Sequence, residues 1–553
     1  MKKVFLLFVI SISLLYNCQN GYSDQNKNFN IEKHAALCRV WGVLKYYHPG
    51  ASNNNIDWDN EVLKILQSYN KIKNKIDLNM VINVLIEICN KYDNAPLDSS
   101  TLEGEFYKMR SFSWLSDTTY ISLKNTIVLK RIIKDHQPFH NQYVSQDTDV
   151  GNLYFNNEKN YADSVFPSKY LQLLSLFRYW NIINYFYPYH ELNDICWDSV
   201  LYQNIPRFMK ISDTLGYHLK VLELTSQLND GHVWTESAPI NYHFGIYSPP
   251  YKLKYIENRP IIDRFFPDSL GRLQNLKIGD QLVGINGIPI QEIINRKSKY
   301  YSFSNYDQFY RRIMEGLLRT PTRDSINITV IRNGGTITES VKPILMYELY
   351  QIQDREDKSK PPFKIINDSI AYINLKYLYV DRIDSMMQII HNLPKIIIDI
   401  RNYPNNVLYE LSKYFNSSTI DFAKVFIPNI KKPGQFIWST TISTGQQYSL
   451  YYKGRVFLLV NEETQSHAEF TAMCLQTAPN VKTIGSHTAG TDGNVSYVSL
   501  PGGLITYFTS IGITYPNEII TQRVGVSIDT LIKPKIIDYI NNYDRILDLA
   551  IQL

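Results

Sequence analysis

Two segments, LCRVWGVLKYYHPGASNNNIDWD at 37–59 and LFRYWNIINYFYPYHELNDICWD at 176–198, align with no gap between them, and four of their matched residues stand at telling offsets. Measured from Trp41 and Trp180, arginine lies at −2 (Arg39, Arg178), proline at +8 (Pro49, Pro188), tryptophan at +17 (Trp58, Trp197) and aspartate at +18 (Asp59, Asp198). The apolar residues ahead of each proline recur at helical spacing, and proline disfavours the helical conformation of the residue before it, ending the run. The front half is therefore predicted to hold two related helical units. Their tryptophans and tyrosines read as core and not as a ligand box.

A chain of 553 residues is too long for one core and predicts about three or four domains. Its formal charge of +5 is small for that length, and no basic run of the nucleic-acid-binding kind occurs, so nucleic acid is not a predicted partner. At the start, Lys2 and Lys3 precede an apolar run over 4–16 that is too short for a comfortable membrane span and reads as an export signal. It has two readings. Cleavage after Ser23 leaves small residues at −3 and −1. Alternatively, Leu15-Tyr16-Asn17-Cys18 resembles a bacterial lipoprotein box with Cys18 lipidated, departing from it at Tyr16 and Asn17. Cys38, Cys89, Cys196 and Cys474 are far apart and form no C-x-x-C pair, which speaks against a zinc site or thiol redox motif and leaves room for one disulfide.

Between the helical units, the polar stretch 152–163 reads as exposed or partner-dependent. A helix over 217–228 is expected to end in NDGHVW, where Asp230-Gly231 suits a helix stop. From about 240 to 345 the pattern turns to strands, with a β-hairpin expected around Asn333-Gly334. There the string GDQLVGING resembles a PDZ domain, a module that binds extended peptide tails by adding a strand. The segment KSKPP (358–362) reads as a linker, and beyond it buried strands alternate with helices in an α/β pattern.

In that last part, TQSHAEFTAM (464–473) follows the apolar run VFLLV. Ser466 and Glu469 make S-x-x-E, the capping-box pattern, whose plain reading is a helix start. Three pieces in order, KIIIDIRNYPNN (395–406), the S-x-x-E segment and TIGSHTAGTDGNV (483–495), resemble the C-terminal processing, or tail-specific, serine protease family. The ending TQRVGVSIDTLIKP (521–534) resembles that family's G-[IV]-x-P-D close, with Ile528 where proline is usual.

The resemblance implies a role for individual residues. Ser466 falls on the nucleophile, and the N–H of His467 on one oxyanion donor. Asn405 and Asn406 stand where the family has the glycines of the second donor. Thr491 stands where many members carry a lysine base, so the histidine-using, tricorn-like branch is the nearer one, with His232 of NDGHVW as base. Within that branch Gln522 stands at the place of the orienting glutamate; Asp230 and Glu469 are the charged candidates for orienting. His487 is the rival base. His467 is a poor one, since adjacent helical residues point about 100° apart. Asp399, Arg401, Thr488 and Gly490 read as site architecture.

The predicted fold class is multidomain α/β: an export signal over 1–23 (or one ending before Cys18), a helical region over 24–165, a second helical unit over 166–238, a β-rich PDZ-like domain over 240–345 and an α/β tail-specific protease domain over 360–553. The implied activity is that of an exported serine endopeptidase of the periplasm or cell envelope. It would act on protein or peptide substrates and need no metal or cofactor. The alternative is a non-catalytic protein on the same fold that holds peptides or apolar ligands.

Overall fold

The computed structural model describes residues 28–52, 56–92, 104–273, 275–448 and 450–553. The predicted export signal, Cys18 included, lies outside the described residues. The chain forms two units. The first runs to Ser237 and adds Phe426–Thr440 and Asn494–Gly512; the second comprises Ala238–Val425, Thr441–Gly493 and Ile513–Leu553.

The repeat organises the first unit. Its long helices, Phe29–Tyr47 and Lys169–Phe186, are buried along almost their whole length. They meet where Gly42 leaves room for Asn181: a Cβ on Gly42 would lie 1.8 Å from Asn181 Oδ1. In each copy the two tryptophans bond reciprocally. Trp41 Nε1 donates to Trp58 O at 3.2 Å and Trp58 Nε1 to Trp41 O at 3.1 Å; Trp180 and Trp197 repeat this at 2.8 and 3.0 Å. A buried indole N–H needs an acceptor, and the +17 spacing supplies one in both copies.

The remaining repeat residues cross over between the copies. Arg39 pairs with Asp198 at 2.9 Å, and Arg178 with Asp59 at 2.5 Å. Lys45 and Glu158 complete a buried cluster with Asp59 and Arg178, Lys45 reaching Glu158 at 2.7 Å. The stretch 152–163, expected to be exposed or partner-dependent, carries a fully buried carboxylate. Its polarity reflects a charge whose partners lie on other helices. Removing one member of such a cluster leaves a buried charge uncompensated, a loss of about 3–5 kcal/mol.

The helix expected over 217–228 spans Thr214–Thr225 with Ser226 as its C-cap. NDGHVW lies beyond that cap, so Asp230-Gly231 is not the helix stop. The segment leads into Thr235–Glu236, which pairs antiparallel with the strand Leu504–Thr509. That strand pairs on its other side with Val495–Leu500.

In the second unit, residues 251–341 build a sheet in the order Gly335–Val341, Ile326–Arg332, Gln281–Ile285, Arg259–Phe265, Tyr251–Ile256, with helices Ile290–Ser298 and Tyr306–Leu317. Its core, which includes Leu282, Ile313, Ile328 and Val330, is drawn from these same residues. The expected hairpin is present: Arg332 pairs with Gly335 across Asn333 (φ 50°) and Gly334 (φ 80°), the positive φ pair of a type I′ turn. KSKPP is not all linker, because the helix Met346–Lys358 reaches its first residue.

The other sheet of this unit runs Phe363–Ile366, Ile370–Asn374, Lys395–Asp399, Arg455–Val460, Val481–Gly485, Thr530–Leu531. Its first pair is antiparallel and the rest are parallel. The parallel core strands are buried almost end to end, the pattern of a sheet covered on both faces. Among the described residues no helix is long and apolar enough to cross a membrane, and all four described cysteines are free.

Candidate active site

The three motif pieces, far apart in sequence, follow the carboxyl ends of three adjacent parallel strands, Lys395–Asp399, Arg455–Val460 and Val481–Gly485. In open α/β sheets that edge is where ligands bind. Thr464, buried, ties two of the loops by donating to Ile400 O at 2.9 Å, and Ala489 N–H donates to Thr464 O at 3.0 Å.

Ser466 stands between the middle strand and the helix His467–Leu475 with φ 57° and ψ −121°. A non-glycine residue held there is strained, and such strain persists only where surrounding contacts impose it. The same sharp strand-to-helix turn exposes the nucleophile in α/β hydrolases. The capping box is formed: the Ser466 side chain faces the Glu469 amide, and Ser466 N–H donates to Glu469 Oε2 at 3.2 Å and to Thr491 O at 2.8 Å. The helix-start reading therefore holds, and what it leaves unexplained is the positive φ, since an N-cap residue ordinarily sits in the extended region.

Glu469 is fully buried. Besides Ser466 N–H, it accepts from the Thr488 hydroxyl at 2.6 Å, Gly490 N–H at 2.8 Å and Thr491 N–H at 2.9 Å. Burial raises its carboxyl above the ordinary value, against the opposing effect of these donors. Glu469 thus clamps the SHTAG loop to the nucleophile turn, and its oxygens are occupied by that task. Gly490 has φ 64°, and a Cβ there would lie 2.8 Å from the Arg523 backbone carbon. Thr491, at the family's lysine place, is buried with its hydroxyl 2.7 Å from that of Ser304.

The first amide of the helix, His467 N–H, donates to no carbonyl among the described residues; the first amides of any helix have no partner within the helix itself. The His467 ring is lowered below the ordinary histidine range by burial, against a bond to the Asn405 backbone. Of the two asparagines, Asn405 does not fit an oxyanion role: its N–H donates to Leu375 O at 3.3 Å, and its side chain to Lys376 O and Leu378 O at 3.0 and 2.9 Å. Asn406 is exposed beside it.

Asp399 and Arg401 form an ion pair. Arg401 grips Asp399 at 2.6 and 3.0 Å and reaches Asp544, the cap of the last helix, at 2.7 and 2.9 Å. Gln522 is buried and donates to Ser304 Oγ at 3.4 Å. His487 is exposed. Within the first unit, Asp230 is fully buried and accepts from His232 N–H at 3.0 Å, while His232 Nδ1 lies 2.9 Å from Thr509 Oγ1. Sequence reasoning passed over Thr509, Thr464 and Asp492. Nothing local marks the first two, whereas Asp492 in TAGTDGN was an available signal. Among the described residues no group of three or more His, Cys, Asp or Glu is arranged to hold a metal ion.

Residues 369–532 match the sequence profile of peptidase family S41. Among solved structures, mature CPAF complexed with lactacystin is similar with a TM-score of 0.55 and 12% identity, over 69% of this chain and 98% of that one. Mature CPAF itself gives 0.54 and 12%, over 69% and 97%, and the photosystem II D1 C-terminal processing protease 0.40 and 14%, over 66% and 93%. No curated protein matches the chain by sequence.

Proposed function

Residues 369–532 match peptidase family S41, and on that premise we propose that the chain is a member of that family and an exported serine endopeptidase with a histidine base. Ser466 Oγ attacks the carbonyl carbon of a peptide bond while His232 takes its proton. The tetrahedral oxyanion is met by His467 N–H at the helix N-terminus, where developing negative charge is favoured. Collapse expels the amine, which receives the proton from His232, and leaves an acyl-enzyme. Water, deprotonated by the same histidine, then hydrolyses the ester. The 251–341 body, with its PDZ-like string, serves to hold the substrate chain.

The observation that carries this reading is the backbone conformation of Ser466, strained at φ 57° and ψ −121° at the strand-to-helix turn. A serine that only caps a helix ordinarily sits in the extended region. The test is labelling of the purified protein by a fluorophosphonate probe. An activated Ser466 reacts and Ser466→Ala does not; an unlabelled, folded wild type rejects the proposal. One observation favours the non-catalytic alternative: the Asn405 amide is committed to Leu375 O, which removes one candidate oxyanion donor. The same labelling decides between the two.

A further inference from the structure

We infer that Thr509 is the positioning residue for His232, linking its imidazole to the buried Asp230 and so setting which ring nitrogen is basic. This rests on the reading of His232 as the base.

Strand register brings the three residues together. Glu236 pairs with Ile505 and Thr235 with Thr506 in an antiparallel ladder, and Tyr507 N–H donates to Trp234 O at 2.9 Å. Beyond the end of that ladder, in the turn before the strand, His232 still comes within reach of Thr509 at the far end of the partner strand. The ladder is fastened by hydroxyls: Thr235 Oγ1 lies 2.8 Å from Thr506 Oγ1 and 2.7 Å from Thr225 Oγ1 on the preceding helix.

Hydrogen-bond bookkeeping then fixes the protons. Three donors converge on Asp230: Thr509 N–H at 2.7 Å, the Thr509 hydroxyl at 2.8 Å and His232 N–H at 3.0 Å. A carboxylate only accepts, and a threonine hydroxyl has one proton to give. That proton goes to Asp230 Oδ1, so at the 2.9 Å contact with the ring Thr509 Oγ1 must accept. The donor is His232 Nδ1–H. Nε2 is then the nitrogen without a proton, the one that can receive the serine's. As the ring becomes imidazolium, the Nδ1–H to Thr509 to Asp230 chain carries a negative charge toward it. An orienting carboxylate does this directly in a serine triad; here a hydroxyl stands between. Gln522, where the resemblance places the orienting glutamate, has no charge to offer, and the relay supplies one from Asp230 in the segment between a helix and a strand.

The experiment is the pH dependence of peptidase turnover for the full chain and for His232→Gln, Thr509→Val, Thr509→Ser and Asp230→Asn, each with a thermal melt. Valine keeps the shape and removes the hydroxyl. Thr509→Val is expected to lower kcat by on the order of 10- to 100-fold, the usual cost of losing an orienting partner, with KM little changed. Its acid limb should move to lower pH, because the imidazolium loses its stabilisation. Thr509→Ser should restore both. Wild-type kcat and an unmoved acid limb in folded Thr509→Val overturn the inference, provided His232→Gln is crippled. If His232→Gln itself turns over normally, the base assignment has failed and the inference falls with it. Should Thr509→Val not fold, Asp230→Asn decides: the relay requires the same acid-limb shift with Thr509 in place, and an unmoved limb rejects it.

Discussion

The buried Glu469 carboxylate accepts the Thr488 hydroxyl at 2.6 Å, and through that contact the loop after one strand of the sheet is fixed to the helix after its neighbour. Three backbone amides share the same carboxylate. Glutamine would turn an NH2 toward at least one of those donors. Glu469→Gln should cost about 1–3 kcal/mol, the penalty of leaving buried donors unsatisfied, and should slow fluorophosphonate labelling of Ser466. Urea unfolding together with the labelling rate measures both; an unchanged denaturation midpoint would refute the clamp.

Ser466 is held at φ 57° within a capping box, so two substitutions should part company. Ser466→Ala keeps the strain and loses the hydroxyl of the box, and it should cost about 0.5–2 kcal/mol. Ser466→Gly relieves the strain and should be more stable than the alanine variant by roughly 1 kcal/mol. Both should be unlabelled and inactive. Equal stabilities would mean that the turn stores no strain.

Asp492 is buried two residues past Gly490. One oxygen accepts Gly493 N–H at 2.7 Å, and the other has no partner among the described residues. Burial, and then the nearby Glu469 charge, push its carboxyl well above the ordinary range. Below about pH 4 it is protonated in both folded and unfolded chains and contributes nothing. Above that pH the unfolded chain releases the proton while the folded one keeps it, so stability falls as pH rises, by up to about 1.4 kcal/mol per unit, until the raised folded pKa is passed. Asp492→Asn removes this titration. Its stability relative to wild type should therefore rise between pH 4 and pH 7 in chemical denaturation. A difference that is the same at both pH values would contradict the assignment.

The three candidate histidines, His232, His467 and His487, should separate by kinetics. If His232 is the base, turnover should fall on the acid side with a midpoint of roughly 6–7, the ordinary histidine range. His232→Gln should lose at least about a hundredfold. His487, exposed, and His467, whose place beside Ser466 on the helix turns its ring away from the serine hydroxyl, should tolerate glutamine with far smaller losses. A crippled His487→Gln beside a mild His232→Gln would move the base to the SHTAG loop.

Local pattern was enough to determine much of this protein. The +17 tryptophan spacing, the proline that ends each long helix, the Asn333-Gly334 hairpin and the buried apolar strands are all short-range: a few neighbouring residues decide them, whatever the rest of the chain does. The S-x-x-E turn was legible in the same way, but with two meanings, because capping and catalysis ask for the same residues at the same spacing. Only the backbone conformation of Ser466 separates them. The charges at 152–163 read as exposed or partner-dependent because sequence shows polarity and not partners; Glu158 finds its cations on a helix more than 100 residues away in one case and on the next helix in the other. NDGHVW looked like a helix end until strand pairing brought His232 within reach of Thr509. The offsets −2 and +18 announced a repeat but not that each arginine would bond the other copy's aspartate. Side-chain pairing and ring tautomers depend on which distant strands and helices lie side by side. That is settled by burial of the whole core, and no window of the sequence contains it.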